Sequence, residues 1–423
     1  MNTRDSDHMV EELKQKEGYL VTSNPKEADL IILNTCSVRE KPERKLFSEI
    51  GLYASIKKEN AKIGVCGCTA SVLGKKIIDK APSVDFVLGA RNVSKISKII
   101  KTPKAVDVDI NYDESNYEFC ASIQDNIRAL INISIGCDKK CTYCIVPNTR
   151  GKEISIPLDL ILKEAQLRVD AGAREIVLLG QNVNNYGARF SGTHRKVNFT
   201  NLLKEISKID KLQRIKFISP HPLHMDDEFI EEFALNPKIS KYIHMPLQSG
   251  SNKVLKDMKR GYTREWFINR VEKIRSLCPN VGIGTDIIVG FPTEKEEDFY
   301  DTLNLVKKVE FDTMYSFVFS PRSGTQAQNM EEIDKEITSN RLYLLQNLHK
   351  QIIEKKAKKE INKIHKVMIE NIQSNNYESN YYEGRSDNGK LIKIQSQKSL
   401  KPGLIYDILI TKNENGALFG IIK

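Results

Sequence analysis

Apolar and polar positions follow two rhythms along this chain, and the places where the rhythm changes divide it in three. Up to about residue 105, segments with helical spacing, DHMVEELKQKEGY at 7–19 and KPERKLFSEIGLYASIKKE at 41–59, predict amphipathic helices. Between them lie short β-branched runs, ADLIILNTC at 28–36, AKIGVCGC at 61–68 and VDFVLG at 84–89, which predict buried strands. Strands alternating with helices imply a small α/β layer with a parallel sheet, here opening on a helix. Residues 105 to about 125 are acidic and without period, and read as a linker.

The next part, from 125 to about 355, carries six apolar runs: ALINISIG, REIVLLG, QRIKFIS, YIHMPL, VGIGTDIIVG and TMYSFVFS. Amphipathic segments such as PLDLILKEAQLRVDAG and TREWFINRVEKIRSL separate them. Six such strand–helix units predict a partial TIM-type (βα)6 barrel, with its chemistry at the C-terminal ends of the strands. A long helical pattern runs from 334 to about 366. The period then changes to two in KLIKIQS and LIYDILITK, with turns at SDNG, KPG and NENG. A small antiparallel β-barrel over 361–423, similar to an oligonucleotide-binding fold, accounts for that pattern. The fold class is therefore α/β with a terminal β-barrel.

Composition narrows the setting. Hydrophobic residues at 40% and charged residues at 28% fit a globular chain with a sizeable core. No run of eighteen apolar residues occurs, and MNTRDSDHMVEELKQ has no apolar signal region, so the expected location is the cytoplasm, with no membrane partner. In that reducing compartment clustered cysteines point to a metal or redox site rather than to disulfides. A formal charge of +10 suits a polyanionic partner such as nucleic acid and equally a basic enzyme.

The stretch IGCDKKCTYCIVPNTRG, 135–151, holds Cys137, Cys141 and Cys144, three of the eight cysteines, directly after the first barrel strand. Structural zinc takes four closed ligands, and no neighbouring cysteine or histidine completes such a set. Three thiolates on a four-iron cluster would leave one iron open to a substrate or cofactor. A zinc knuckle or an accidental cluster is the plainer alternative. Cys-x3-Cys-x-aromatic-Cys at this place in a partial barrel resembles the radical SAM superfamily. The resemblance implies a [4Fe-4S] cluster on Cys137, Cys141 and Cys144, S-adenosylmethionine on its open iron, and Tyr143 beside the adenine. It implies contact of Gly180, Gln181 and Asn182 with the methionine amino group. Gln248, Ser249 and Asp286 end later strands and are expected to face the same mouth.

Further words, LNTCSVREK at 33–41, GCTAS at 67–71, LLGQNVNNYG at 178–187, MPLQSGS at 245–251, DIIVGFPTEKEEDF at 286–299 and FSPRSGTQA at 319–327, look like the methylthiotransferases, and CSVREK and GQNVN resemble their tRNA-modifying branch. That resemblance implies a second [4Fe-4S] cluster, with Cys36 and Cys68 as two of its three ligands, which supplies sulfur. It implies hydrogen abstraction from C2 of an isopentenylated adenosine 3′ of the anticodon, and a reducing partner such as flavodoxin or ferredoxin. An aromatic C2–H offers no acidity to a side chain, so radical chemistry is left to the cofactor. The departure is at the start: Met1 and Asn2 align with the end of the family's Gly-Cys-x-Met-Asn segment. The expectation is that a strand bearing the first cysteine precedes Met1, with Cys66 as the alternative third ligand. EGRSDNG at 383–389 resembles the TRAM domain, and the seven lysines of 350–366 are expected to meet RNA phosphates. His221 and His224 read as hydrogen-bonded rather than metal-bound. Cys120 and Cys278 read as structural or free thiols. Two other functions stay open at this point: the same radical chemistry on another substrate, and a zinc-stabilised RNA-binding protein.

Overall fold

The structure, a computed structural model, describes residues 1–37, 40–111, 127–190, 197–375 and 380–423. Cys120 and most of the expected linker lie outside the described residues.

Helix α1 (Asn2–Glu17) ends where Gly18 takes the left-handed conformation, φ 71°, that a helix C-cap asks of a residue without Cβ. Strands β1 (Leu30–Thr35), β2 (Lys62–Gly67) and β3 (Phe86–Gly89) follow, with α2 (Glu40–Ile56), α3 (Cys68–Leu73) and α4 (Lys76–Lys80) between them. After α5 (Ile96–Ile99), β4 (Ala105–Asp107) pairs with β3, so the sheet is parallel in the order β1-β2-β3-β4. The expected linker thus begins with a strand. At three residues β4 is too short for its period to be read from sequence. One face of the sheet packs Ile63, Val65 and Val87 on Leu46 and Ile50 of α2. The other packs Cys66, Phe86 and Leu88 on Met9 and Leu13 of α1.

The central body is the expected arc. It begins with β5 (Arg128–Asn132) and a short hairpin of β6 (Ser134–Ile135) and β7 (Ile154–Ser155), between which lies α6 (Val146–Arg150). Then come α7 (Leu158–Asp170), β8 (Glu175–Leu179), α8 (Phe199–Ser207), β9 (Arg214–Phe217), α9 (Asp227–Leu235), β10 (Tyr242–His244), α10 (Asn252–Asp257) and α11 (Arg264–Leu277). The arc closes with β11 (Gly282–Val289), α12 (Glu296–Val309), β12 (Thr313–Val318) and α13 (Lys335–Lys358). Two parallel sheets, β5-β8-β9 and β10-β11-β12, are joined where Ile215 bridges Ile239. Helix starts are fixed by side chains that accept orphan N–H groups: Asp226 from Phe229, Ser251 from Val254, Thr263 from Trp266. Their apolar stripes, Ile161, Leu202, Phe229, Phe267 and Leu305 among others, form one core with the outer faces of the strands, completed by Leu345 and Ile352 of α13.

Helix α13 stops at Lys358, short of the sequence expectation, and Ile364 already begins a strand. Strands β13 (Ile364–Asn375), β14 (Asn380–Ser386), β15 (Leu391–Ser396), β16 (Ile405–Glu414) and β17 (Ala417–Ile422) form a closed barrel in the order β13-β14-β15-β17-β16. This barrel docks on the N-terminal ends of the central strands, opposite the mouth. Glu175, the first residue of β8 and 1% exposed, accepts from Arg128, from Arg214 at 2.5 Å and from Lys216 at 2.9 Å. Glu370 of β13 answers from the other side, 2.6 Å from Arg128 and 3.4 Å from Arg385. Burial opposes the Glu175 charge, but Lys216, Arg214 and Arg128 more than offset it and hold the carboxyl at about 2. Ser240 also donates to the Asp387 carbonyl at 2.6 Å, in the β14–β15 turn.

Candidate active site

At the end of β6, Gly136 turns the chain at φ 84° into the cysteine loop. The loop is pinned by Cys137 N–H to Gly151 O (3.1 Å), Thr142 N–H to Met258 O (3.2 Å) and Ala327 N–H to Thr142 O (2.9 Å). Cys137, Cys141 and Cys144 are all partly exposed on it. Among the described residues, no three His, Cys, Asp or Glu side chains are grouped so as to hold a single metal ion. Arg260, 6% exposed, donates to Cys141 Sγ at 3.3 Å and to Pro246 O at 3.1 Å, and its Nε reaches Tyr262 Oη. Burial pushes the Cys137 thiol up to about 12 and the Cys144 thiol up to about 11. Cys137 and Cys144 are therefore held neutral until a metal centre draws off their protons, as thiolate coordination does. The donor set fits an iron–sulfur cluster.

The second strand end shows what could lie on that cluster. Gly180 sits so close to β6 that a Cβ there would come within 2.6 Å of Ser134 Oγ. Gln181 accepts from the Gly136 N–H at 2.5 Å and so braces the cysteine loop. Asn182 is 1% exposed, and its amide oxygen has no hydrogen-bond partner among the described residues. The same is true of Ser134 Oγ and Asn132 Oδ1 on the neighbouring strands. Buried polar atoms without partners are costly, and three at one mouth mark a seat for a polar ligand. Glu153 lies beside them, its carboxyl raised by burial to about 7, and accepts from Asn185 at 2.9 Å.

Later strands divide the other expectations. Tyr143 packs, as Ile288 does, on the apolar cluster of Val254, Met258, Phe291, Phe319 and Ala327. Gln248 adopts φ 73° and exchanges backbone hydrogen bonds with Asp286 and Ile288, which places it at the rim. Ser249 does not face the mouth: its hydroxyl is fully buried, 3.5 Å from Thr302 of α12, and accepts from Ser251 N–H. The start of α10 needs it there. Asp286 faces the lumen and meets His244 at 3.1 Å.

In the N-terminal sheet, Thr35 pairs with Gly67. Cys36 and Cys68, the next residues, therefore leave adjacent strands side by side, and Thr69 Oγ1 donates to Cys36 O at 3.0 Å. Cys66 is fully buried with Met9, Leu13, Phe86 and Leu88, and burial raises its thiol far above the usual range. It points into the core on the other face, because the side chain two residues before Cys68 still obeys the pleat while Cys68 already starts a helix. Cys66 does not join Cys36 and Cys68. Arg150, on the helix that leaves the cysteine loop, pairs with Asp5 at 2.6 Å and lies against the Cys68 thiol. Arg150 therefore links Cys68 and Asp5 to the helix that leaves the cysteine loop.

His221 is buried, accepts from Leu223 N–H through Nδ1, and lies 5.9 Å from His224, ring to ring. Burial lowers both imidazoles, His224 to about 4. Cys278 packs on the barrel core, far from the mouth. Of the seven lysines, Lys355, Lys356 and Lys363 pair with Glu310, Asp312 and Glu360, while Lys350, Lys358 and Lys359 are exposed. Sequence reasoning missed Arg260, Arg150, Glu153 and His244. None lies in a pattern that sets it apart from an ordinary loop or strand residue.

Residues 131–306 match the Radical SAM superfamily, and residues 1–89 match the uncharacterized protein family UPF0004. A tRNA-2-methylthio-N(6)-dimethylallyladenosine synthase of Helicobacter hepaticus is 61% identical over 99% of this chain and 91% of its own. One of Helicobacter pylori is 59% identical over 100% of this chain and 97% of its own. Among solved structures, the radical S-adenosylmethionine methyltransferase TsrM from Kitasatospora setae shares the fold at a TM-score of 0.53, covering 76% of this chain and 74% of its own at 13% identity.

Proposed function

Because this chain belongs to the tRNA-2-methylthio-N(6)-dimethylallyladenosine synthases of the radical SAM superfamily, we propose a division of its work, residue by residue, between the barrel mouth and the N-terminal sheet. The activity is methylthiolation of tRNA, with S-adenosylmethionine and [4Fe-4S] clusters as cofactors. Cys137, Cys141 and Cys144 would hold one cluster, and Cys36 and Cys68 would contribute to the other. When bound, these groups supply the one-electron chemistry and the sulfur that no side chain here could provide.

The chain's own residues bind, orient and shield. Arg260 donates to Cys141 and spreads the charge of a thiolate in a buried place. Asn182, Ser134 and Asn132 present the unmatched polar atoms that a methionine amino and carboxylate group would satisfy. Tyr143 offers a wall for an adenine. Arg150, through Asp5 and Cys68, would tie the N-terminal cysteine site to the helix that leaves the cysteine loop. Lys350, Lys358 and Lys359, with the terminal barrel, would meet tRNA phosphates. The setting is the cytoplasm, with a reductant such as flavodoxin or ferredoxin; among the described residues no helix is long and apolar enough to cross a membrane.

The juxtaposition of Cys68, Arg150 and the cysteine loop carries this reading. Its test is anaerobic reconstitution followed by nucleoside mass analysis of isopentenylated tRNA. A methylthio product that survives loss of Cys68 would refute it.

A further inference from the structure

We infer that the inner faces of β10, β11 and β12 form the seat of the target nucleobase, with Tyr315 as its stacking surface and the His244–Asp286 pair as its hydrogen-bonding edge. This rests on the tRNA reading above and adds to it a location for the base.

The side chains of Tyr242, His244, Asp286, Thr313 and Tyr315 share the lumen side. On β12 the alternate residues turn outward: Met314 packs on the core and Ser316 accepts from Gln346 of α13. Between the two flanking strands, β11 presents Gly284. A Cβ there would lie 2.2 Å from Tyr242 Oη, 2.4 Å from Thr313 Oγ1 and 2.7 Å from His244 Nδ1. The missing side chain lets β10 and β12 meet across the middle strand, with Tyr242 Oη 2.5 Å from Thr313 Oγ1 and the His244 ring 5.8 Å from that of Tyr315.

What these residues present is open. His244 Nε2 lies 3.1 Å from Asp286 Oδ2, with the side chains 18% and 31% exposed, and Tyr315 is 57% exposed. Barrel interiors are ordinarily packed, so an uncovered aromatic ring beside an accessible acid–imidazole pair is a surface shaped for something that enters. A purine matches it chemically. Its face stacks on a phenol ring, and an exocyclic N–H donates to the carboxylate that the imidazole N–H holds in place. The carboxylate keeps lone pairs beyond the one His244 uses.

The height is also suitable. Ile288, the next lumen residue above Asp286, packs on the same apolar cluster as Tyr143 of the cysteine loop. Two residues of strand span roughly 6.7 Å, so a base on this seat lies one tier below the cluster loop. An adenosine would reach it by leaving its stack, as bases do for enzymes that act on them.

The test uses the reconstituted full chain and an isopentenylated anticodon stem-loop. Asp286→Asn, His244→Gln and Tyr315→Leu should each lower kcat/KM for methylthiolation roughly tenfold or more, the size of one missing stack or base-edge hydrogen bond. They should also raise the ratio of 5′-deoxyadenosine released to product formed. Tyr315→Phe, which keeps the ring, should restore coupling. Ser316→Ala, on the outer face of the same strand, serves as control. Iron content equal to wild type in every variant separates this from a folding defect. Coupling ratios that match the wild type in all three variants would overturn the seat, as would an equal loss in Tyr315→Phe. A wild-type chain that cleaves S-adenosylmethionine but never modifies the stem-loop would instead defeat the tRNA reading. Stem-loop affinity measured by fluorescence anisotropy then judges the seat separately, since equal affinity in all variants overturns it.

Discussion

Replacing Glu175 by Gln should loosen the joint between the central barrel and the terminal β-barrel. The substitution keeps the shape but removes the anion on which Arg128, Arg214 and Lys216 converge. Bringing a carboxyl from its usual 4.5 to about 2 corresponds to about 3 kcal/mol, at ~1.4 kcal/mol per pH unit. Removing one partner of a buried ion pair gives the same size, ~3–5 kcal/mol. For a body of this length, that is a fall in Tm of about 6–12 °C. Scanning calorimetry of the anaerobic full-length chain at pH 7 measures it.

Acid supplies an independent check. The folded pKa of Glu175 lies below its unfolded value of about 4.3. Its contribution is therefore whole above that value and fades as pH falls toward about 2. The gap between wild type and Glu175→Gln should stay constant from pH 7 to 5 and narrow below 4.3. Adding Arg214→Met, which removes the most buried cation as well, should recover part of the loss. A Glu175→Gln protein that melts with the wild type at pH 7 would refute the argument.

Three further outcomes are expected. Cys141→Ala should abolish formation of 5′-deoxyadenosine, read by chromatography, because two thiolates do not retain the iron. Cys68→Ala should still form 5′-deoxyadenosine but no methylthio nucleoside, whereas Cys66→Ala should leave both intact and lower stability by about 1 kcal/mol, seen as a small shift in Tm, for its lost packing. Replacing Lys350, Lys358 and Lys359 together by Ala should weaken tRNA binding and reduce the slope of log affinity against log salt by ~0.7–0.9 for each phosphate no longer neutralised, measured by filter binding.

The layers of this molecule were legible because buried parallel strands must be apolar and helices on their faces must be amphipathic. All six central strands lie where the periodicity puts them, as do two of the terminal barrel's five, Leu391–Ser396 and Ile405–Glu414. The errors lie where period is too short to read or where polarity misleads. Ala105–Asp107 pairs as a strand inside an acidic stretch, and the lysine-rich segment leaves its helix at Lys358 because Ile364 is already committed to a closed barrel. The cysteines of the loop announce themselves by spacing. Arg260 and Arg150 do not, since a single arginine acquires its role only when distant chain brings a sulfur or a carboxylate beside it. Ser249 reads as a mouth residue from its strand-end position, yet a hydroxyl one residue past a positive-φ glutamine can turn inward and brace the start of α10. Cys66 and Cys68 look equivalent on paper, and only the end of β2 between them sends one to the core and the other toward Cys36.

The ionic floor of the barrel also sets an order of events during synthesis. Arg128 and Glu370 lie 242 positions apart. At ~5–20 residues per second, that interval is on the order of 10–50 s of translation. Once Lys216 has been made, the nascent barrel carries three cations against the one carboxylate of Glu175 until Glu370 follows. The first strand of the terminal barrel therefore brings the second anion to the body made before it.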